Sequence, residues 1–213
     1  MTANIGVLTG DVVGSQRITD KDRLNRTLDD ALTLIEERFK ARGDRYRGDG
    51  FQVVIPDPSD SMTAAILIRA ALIQQSPSRQ NMWDARIAIG IGKGDVPEPQ
   101  RFAQADGEAF VLSGQRLDAL SDTADRLAIV TPSAELDETL ALVTRFADDI
   151  LSHWSRFSAE VVALSLLHEE SQQALAQRLG RAQPTINRRL AAARWSLIRD
   201  YLIYTASKLA QGV

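Results

Sequence analysis

The order in which strand-like and helix-like stretches alternate most constrains how this 213-residue chain can fold. Short aliphatic runs and two-residue alternation predict strands, whereas apolar residues every three or four positions predict helices. The first part of the chain gives the order strand, helix, strand, strand, helix, strand, followed by one more helix and strand. The predicted strands are residues 5–11, 45–47, 51–55, 83 to 91 or 92, and 126–132, and the predicted helices are 20–40, 61–75 and 107–120.

This order is that of a ferredoxin-like sheet with an extension. In that plan the first and third strands are neighbours at the centre of the sheet. The end of the first strand therefore lies beside the hairpin that joins the second and third strands. The sequence predicts an α+β fold in which Asp11, after "VLTG", and Asp49, in the hairpin "RGDGF", can meet.

After Pro132 the composition is helical to the end, with no strand-like run. We therefore divide the chain into a sheet domain, residues 1–133, and a helical domain, residues 134–213. Trp154 is predicted to pack the first helix of the tail against the rest of the protein, and Asp148 and Asp149 are expected on a solvated helix face. The predicted tail helices are 135–151, 158–167, 172–179, 183–194 and a closing helix to about residue 210.

Composition excludes several classes of protein. The chain has no Cys and only two His, which rules out disulfides and argues against a Cys/His zinc site. No apolar run approaches the roughly 20 residues that a membrane-spanning helix needs. The N-terminus also lacks the pattern of a signal peptide. We expect a cytoplasmic protein with no membrane partner.

Charge is distributed unevenly along the chain. The net charge is −3, but residues 170–213 carry seven basic and two acidic side chains, so the tail is +5 and the remainder −8. A basic end on an acidic body indicates a surface that faces nucleic acid. A solvated helix pair often carries the same surplus, so charge alone leaves this open.

The two aspartates suggest phosphate chemistry. Carboxylates from adjacent loop ends can bridge Mg²⁺, which takes phosphate oxygens as its other ligands and neutralises a transferring phosphoryl group. Gly10, Gly14 and Gly48 would let a nucleoside triphosphate approach the backbone. The alternative is that Asp11 merely ends a strand and Asp49 merely forms a turn.

Four stretches, "VLTGDVVGS", "RGDGFQVV", "ARIAIGIGKGD" and "ADGEAFVLSGQRLDAL", together resemble the SatD family over residues 5–131. More distantly they resemble the catalytic domain of class III nucleotidyl cyclases. In such cyclases one aspartate at the end of the first strand and another in the Gly-Asp hairpin hold two metal ions. Asp11 and Asp49 fall on those positions, so the resemblance implies a Mg²⁺ and nucleotide site. The SatD resemblance implies no particular reaction.

The chain also departs from the cyclase pattern. Cyclases carry an Asn-Xaa-Xaa-Xaa-Arg pair on the late helix; Arg116 takes the arginine position, but Leu112 stands where the Asn would be. Arg45 falls near the lysine that reads the purine, with a different donor geometry. The resemblance thus implies nucleotide binding by Arg45 and Arg116 while arguing against cyclisation. Alternatively, Arg116 is a surface partner of Asp118 or Asp122.

The stretch "SQQALAQRLGRAQPTINRRLAAAR", residues 171–194, carries a second signal. Gly180 permits a sharp turn between two short helices, and Pro184 suits the first turn of the second one. The spacing of Ala176, Gly180 and Ile186 resembles helix-turn-helix proteins, whose second helix enters the major groove of DNA.

The second of these helices would present polar side chains to DNA. Gln and Asn suit adenine edges, Arg suits guanine, and Thr can take a base or a phosphate. The predicted base-reading residues are Gln183, Thr185, Asn187 and Arg188, and the predicted phosphate contacts are Arg181, Arg189 and Arg194. A protein–protein or dimerisation module could use the same turn.

Together these features predict a cytoplasmic regulator whose sheet domain senses or processes a nucleotide and whose tail binds DNA. A homodimer is expected, because one recognition helix reads too few bases. Two alternatives stay open. One is a Mg²⁺-dependent nucleotidyl transferase or cyclase whose tail recruits or dimerises it, and the other is an interaction module with a degenerate site.

Overall fold

A computed structural model describes residues 3–45, 48–98, 102, 105–168 and 170–212. In this part of the chain the strands β1 to β5 are Ala3–Val12, Arg42–Arg45, Phe51–Ile55, Ala85–Gly94 and Leu127–Val130. The helices α1 to α8 are Lys21–Phe39, Ser61–Gln74, Glu108–Leu120, Ala134–Ser152, Arg156–Leu167, Gln172–Arg178, Gln183–Ala192 and Trp195–Gly212. Every helix in these ranges is too short or too polar to cross a lipid bilayer.

The five strands form one sheet in the order β2-β3-β1-β4-β5. Strand β1 is antiparallel to both β3 and β4, and β4 is parallel to the added edge strand β5. The first and third strands are neighbours, as the ferredoxin-like plan requires. The predicted α+β, ferredoxin-like sheet architecture is therefore confirmed.

Helices cover both faces of the sheet. Alternate side chains of a strand point to opposite faces. Leu8 and Val12 of β1 belong to the apolar cluster that includes α1 and α2. Ile5 and Val7 pack instead with Phe110 of α3 on the other face. By the same alternation Asp11 lies on the α3 side of the sheet, which places it outside the main core.

Helix α2 is the centre of the molecule. Its sequence "SMTAAILIRAALIQ" is apolar on all sides, and a helix of this kind is buried on all sides. The cluster around it joins Leu8 of β1 to Val162 of α5 and to Ile198 of α8. One main core therefore crosses position 133, and the division into residues 1–133 and 134–213 stays a prediction about the sequence.

A buried arginine connects the sheet to the helical tail. Arg69 of α2 is fully buried, and its Nε and Nη2 donate to the two carboxylate oxygens of Asp84 at 2.9 and 2.7 Å. Its Nη1 donates to Asp148 of α4. Arg126 completes the network: its Nη1 donates to Asp84 and its backbone N–H to Asp148.

The charges in this network stabilise one another. Burial alone would raise the pKa of Asp84, but Arg69 and Arg126 reverse that effect and hold the pKa below its usual range. Burial likewise opposes the charge of Arg69, yet Asp84 and Asp148 raise its pKa above the usual value. Both groups are therefore ionised at neutral pH.

Two local expectations were wrong. Asp148 is 3% exposed and bound to Arg69, so it lies in the core and not on a solvated face. Strand β2 is Arg42–Arg45, so it begins three residues before the predicted start at residue 45. Gly43 lies inside β2 and donates its N–H to Glu36. Residues 46 and 47 lie outside the described ranges.

The packing role expected of Trp154 is confirmed. Its side chain is 4% exposed, and its Nε1 donates to the carbonyl oxygen of Ala193 at 3.0 Å. This contact joins the start of α5 to the junction between α7 and α8. The first and last tail helices are also linked, through Thr144 and the hydroxyl of Tyr201 at 2.8 Å.

Replacing Arg69 by Met should lower the free energy of unfolding by about 3–5 kcal/mol, because two buried carboxylates lose their counter-charge. Urea unfolding followed by circular dichroism measures this. The matched control is Arg199→Met, which removes an exposed pair with Asp200 and should cost less than about 1 kcal/mol. Equal effects of the two changes would contradict the structural role of Arg69.

Candidate functional site

The sheet edge where β1 ends carries the first group of predicted site residues. The register pairs Gly10 with Phe51 on one side of β1 and Asp11 with Arg86 on the other. Continued by one pair, it brings the hairpin turn at residues 48–50 beside Asp11. The structure thus brings Asp11 and the turn that holds Asp49 to the same sheet edge, as the strand order predicts.

Asp11 already has a partner. Its two carboxylate oxygens accept hydrogen bonds from Nε and Nη2 of Arg86, each at 2.9 Å. Both side chains are 28% exposed. This two-pronged pair joins the central strands at the edge, and it neutralises the charge of Asp11. The sequence analysis did not identify Arg86. The one sequence feature that points to it is its position in β4, where it is a charged residue on the face opposite the isoleucines.

With Asp11 paired to Arg86, the described side chains at this sheet edge do not by themselves form a metal site. Arg86 occupies both oxygens of Asp11, and a guanidinium repels a cation. Across the described ranges, no three His, Cys, Asp or Glu side chains cluster closely enough to hold a metal ion. Mg²⁺ often binds with one or two carboxylates when a ligand phosphate supplies the rest. Asp11 and Asp49 would meet that condition only after Arg86 releases Asp11.

Arg45 holds the hairpin against the first helix. Its Nη1 donates to Asp29, and its Nη2 donates to Asn25 and to the carbonyl oxygen of Gly48. These bonds use donors that a nucleotide base would need. The nucleotide-binding role of Arg45 stays a prediction, and the contacts favour a structural role.

The three predicted phosphate-cradle glycines have different surroundings. A Cβ on Gly10 would lie 2.5 Å from the Phe51 ring and 2.7 Å from the Arg86 carbonyl oxygen, so this glycine permits close packing. Gly14 and Gly48 have positive φ values of 63° and 85° at turns. The N–H of Val13, two residues after Asp11, donates to the carbonyl oxygen of Asp84 and so is not available to a phosphate.

Helix α3 contributes polar groups to the same face of the sheet. Thr9 Oγ1 lies 2.8 Å from Ser113 Oγ and accepts from Gln52 at 2.9 Å. The sequence analysis did not identify this group of polar side chains, although Thr9 and Asp11 lie on the same face of β1 as Ile5 and Val7. Arg116 lies one turn beyond Ser113, and within the described residues its Nε is buried without a hydrogen-bond partner. The expected pairing of Arg116 with Asp118 or Asp122 is not among its contacts there.

The helix pair α6–α7 is the second candidate site. Gly180, at φ 60°, forms the turn between the two helices, and the N–H of Arg181 closes back onto the carbonyl oxygen of Ala176 at 2.9 Å. Ile186 and Leu190 of α7 pack with Leu175 of α6 in a small cluster on α5. The turn and the buried face of α7 therefore form as the spacing predicts.

The opposite side of α7 is polar and faces solvent. Arg188 is exposed on this side, Asn187 at its flank, Gln183 at the first turn and Arg181 in the turn before α7, while Thr185 is half-buried. Arg189 differs from its neighbours, because its Nη1 pairs with Glu160 at 2.6 Å and its guanidinium lies 4.5 Å from the centre of the Phe157 ring. These contacts hold Arg189 on α5. Its predicted phosphate contact would require it to leave them.

Comparison with known proteins gives fold neighbours only. No protein-family model and no curated protein matches the chain, so the SatD resemblance stays a prediction. Among solved structures, the active GGEEF domain of a Vibrio cholerae diguanylate cyclase is 14% identical, covers 61% of this chain and 83% of its own, and has a TM-score of 0.42.

Two further solved structures show a similar degree of likeness. An adenylate/guanylate cyclase/hydrolase from Silicibacter pomeroyi is 21% identical over 56% of this chain and 71% of its own, with a TM-score of 0.44. The monomeric guanylyl cyclase domain of the RhoGC fusion protein from Blastocladiella emersonii is 15% identical over 55% and 75%, with a TM-score of 0.39. At these TM-scores the likeness says nothing about activity. The class of fold rests on the strand order itself.

Substituting Gly10 by Ala should lower the free energy of unfolding by about 1–3 kcal/mol, because the added methyl group meets the Phe51 ring and a backbone carbonyl. Gly114→Ala in α3 is the control: no atom lies within 4 Å of the position that its Cβ would take, so helix propensity should make it neutral or slightly stabilising. Thermal unfolding of both variants checks this. A harmless Gly10→Ala would contradict a packing role for this glycine.

Proposed function

We propose that this protein is a regulator that binds DNA through α6 and α7. The observation that carries the proposal is the two-sidedness of α7. Ile186 and Leu190 are buried, Arg188 lies opposite them, and Gln183 at the first turn and Asn187 at the flank are exposed. A short helix after a tight turn, apolar inward and polar outward near its N-terminal end, has the form of a recognition helix.

The charges around α7 support this proposal. Within the described residues Arg181, Arg188 and Arg194 form no ion pair, and all three are exposed. Arginines without acidic partners are available to phosphates, which provide most of the affinity for DNA. Gln183, Asn187 and Arg188 carry the donor and acceptor patterns that distinguish base edges in the major groove. Arg181 and Arg194 then serve as phosphate contacts.

Arg188→Ala should weaken binding to a selected DNA site by about 1–3 kcal/mol and relax the preference at one base position. The site is first obtained by selection from a random DNA pool, and affinities are then measured by fluorescence anisotropy at several salt concentrations. Arg181→Ala should weaken binding to all DNA sequences alike. It should also reduce the slope of log affinity against log salt concentration by about 1. Arg199→Ala, an exposed arginine on α8, is the control. Unchanged affinity and preference in Arg188→Ala would contradict the proposal.

The geometry favours a second function, nucleotide binding at the sheet edge. The supporting observation is the register that brings Asp11 beside the hairpin turn that holds Asp49. With Mg²⁺, Asp11 and Asp49 would hold the metal, which would neutralise charge on the phosphates. Arg86 would then have to turn from Asp11 toward the incoming phosphates, a favourable exchange for a guanidinium.

The double variant Asp11→Asn/Asp49→Asn should abolish Mg²⁺-dependent heat of binding when ATP or GTP is titrated into the protein. The control variant, Asp118→Asn/Asp122→Asn, removes two exposed carboxylates elsewhere and should leave the heat unchanged. Product analysis of the same samples separates a sensor from a nucleotidyl transferase or cyclase. Absence of heat from the wild-type protein would reduce both aspartates to structural residues.

A further inference from the structure

Exposed apolar side chains are concentrated on α4 and α8. Five of the eight large apolar side chains exposed in the described ranges lie on these two helices. Phe146 is 67% exposed and Ile203 63%, which is unusual for residues of this size. The five exposed apolar side chains on α4 and α8 are Leu142, Phe146, Leu197, Ile203 and Tyr204. Contiguous exposed apolar surface on a folded protein indicates a contact with another molecule.

A groove runs between the two helices. The hydrogen bond between Thr144 and Tyr201 holds them together, and the start of α4 lies beside the end of α8, so they are antiparallel. The groove has a volume of about 290 Å³. Its apolar lining comes from Val143, Phe146, Ile150, Leu197 and Tyr204.

The size of this surface matches what a dimer needs. Helices of 19 and 18 residues are about 27–28 Å long at 1.5 Å per residue. Two of them packed about 9 Å apart present a face of roughly 500 Å² in projection, the larger part of the ~800 Å² per partner of a standard interface. We propose that the α4–α8 surface pairs with the same surface of a second copy of this chain.

Charge fixes how the two copies would pair. Glu135 near the start of α4 and Lys208 near the end of α8 lie at the same end of the groove. A two-fold axis parallel to the helices lays α4 on α8 of the second copy and puts Glu135 opposite Lys208. An axis perpendicular to the helices would instead lay α4 on α4 and bring Glu135 toward Asp149. Of these two arrangements, the first therefore pairs Glu135 with Lys208 and the second does not.

The pairing would determine the spacing of the two α7 helices. Helix α8 begins three residues after α7 ends, and Trp154 binds the junction between them. A dimer formed through α4 and α8 therefore fixes both α7 helices relative to its axis. This consequence, unlike the interface, rests on the proposed DNA binding, since paired recognition helices require a fixed half-site spacing.

Sedimentation velocity over a range of protein concentrations tests the interface. The wild-type protein should sediment as a dimer, and Phe146→Asp should raise the dimer dissociation constant by more than about tenfold, because a charge would be buried at the centre of the contact. The control Val111→Asp alters a 51% exposed apolar residue on α3 and should leave the dimer intact. Circular dichroism confirms that both variants are folded. A monomeric wild type, or a dimer that survives Phe146→Asp, overturns the inference.

A charge exchange tests the orientation without placing a charge in the groove. Lys208→Glu should weaken the dimer, and adding Glu135→Lys should restore it. Failure of the double variant to recover would overturn the parallel-axis arrangement. The outcome is independent of the proposed function. A dimer that binds no DNA refutes DNA binding and leaves the interface standing. A monomer that binds DNA refutes the interface and leaves DNA binding standing.

Discussion

The buried guanidinium of Arg69 is the interaction on which the arrangement of the molecule depends. It is fully buried at the centre of α2 and binds Asp84 before β4 and Asp148 on α4. Such a charge is tolerated only when every partner is in place, because an unpaired buried ion costs several kcal/mol. The sheet and the tail therefore meet in one register. A shift of α4 by one turn would leave Asp148 without Arg69 and the N–H of Arg126 without its acceptor.

This coupling explains why the tail is not an independent appendage. The main core runs from β1 through α2 to α5 and α8. The helices that support α7 therefore pack on the same face of the sheet as α1 and α2. Within the described part of the tail, a small cluster of α5, α6 and α7 is separate from that core. Position 133 marks a change of composition in the sequence, while the packing continues across it. A ligand at the sheet edge and a partner at α7 would thus act on one body.

Local patterns predicted the elements well, and they failed where a distant residue decides the outcome. Periodicity placed α1, α2 and all five tail helices to within a few residues, and it gave the strand order, because these features depend on neighbours in sequence. Asp148 looked like a solvated residue because its partner, Arg69, lies 79 positions earlier. Arg86 was missed for the same reason, since it is 75 positions from Asp11. Strand β2 begins earlier than predicted because Arg42 and Gly43, which are not strand-like in sequence, pair with Val54 and Val53 of β3.

Two of the arginine–aspartate pairs among the described residues, Arg69 with Asp84 and Arg86 with Asp11, differ in how easily a ligand could separate them. Both are two-pronged and of similar length, but Arg69 is fully buried and the pair of Asp11 with Arg86 is 28% exposed on each side. An exposed pair is worth at most about 1 kcal/mol, so a ligand that binds either partner more strongly can separate it. Opening the Arg69 pair would instead unfold the contact between α2 and α4. Burial, and not the type of residue, therefore distinguishes the pair that a ligand could separate from the pair that holds the fold together.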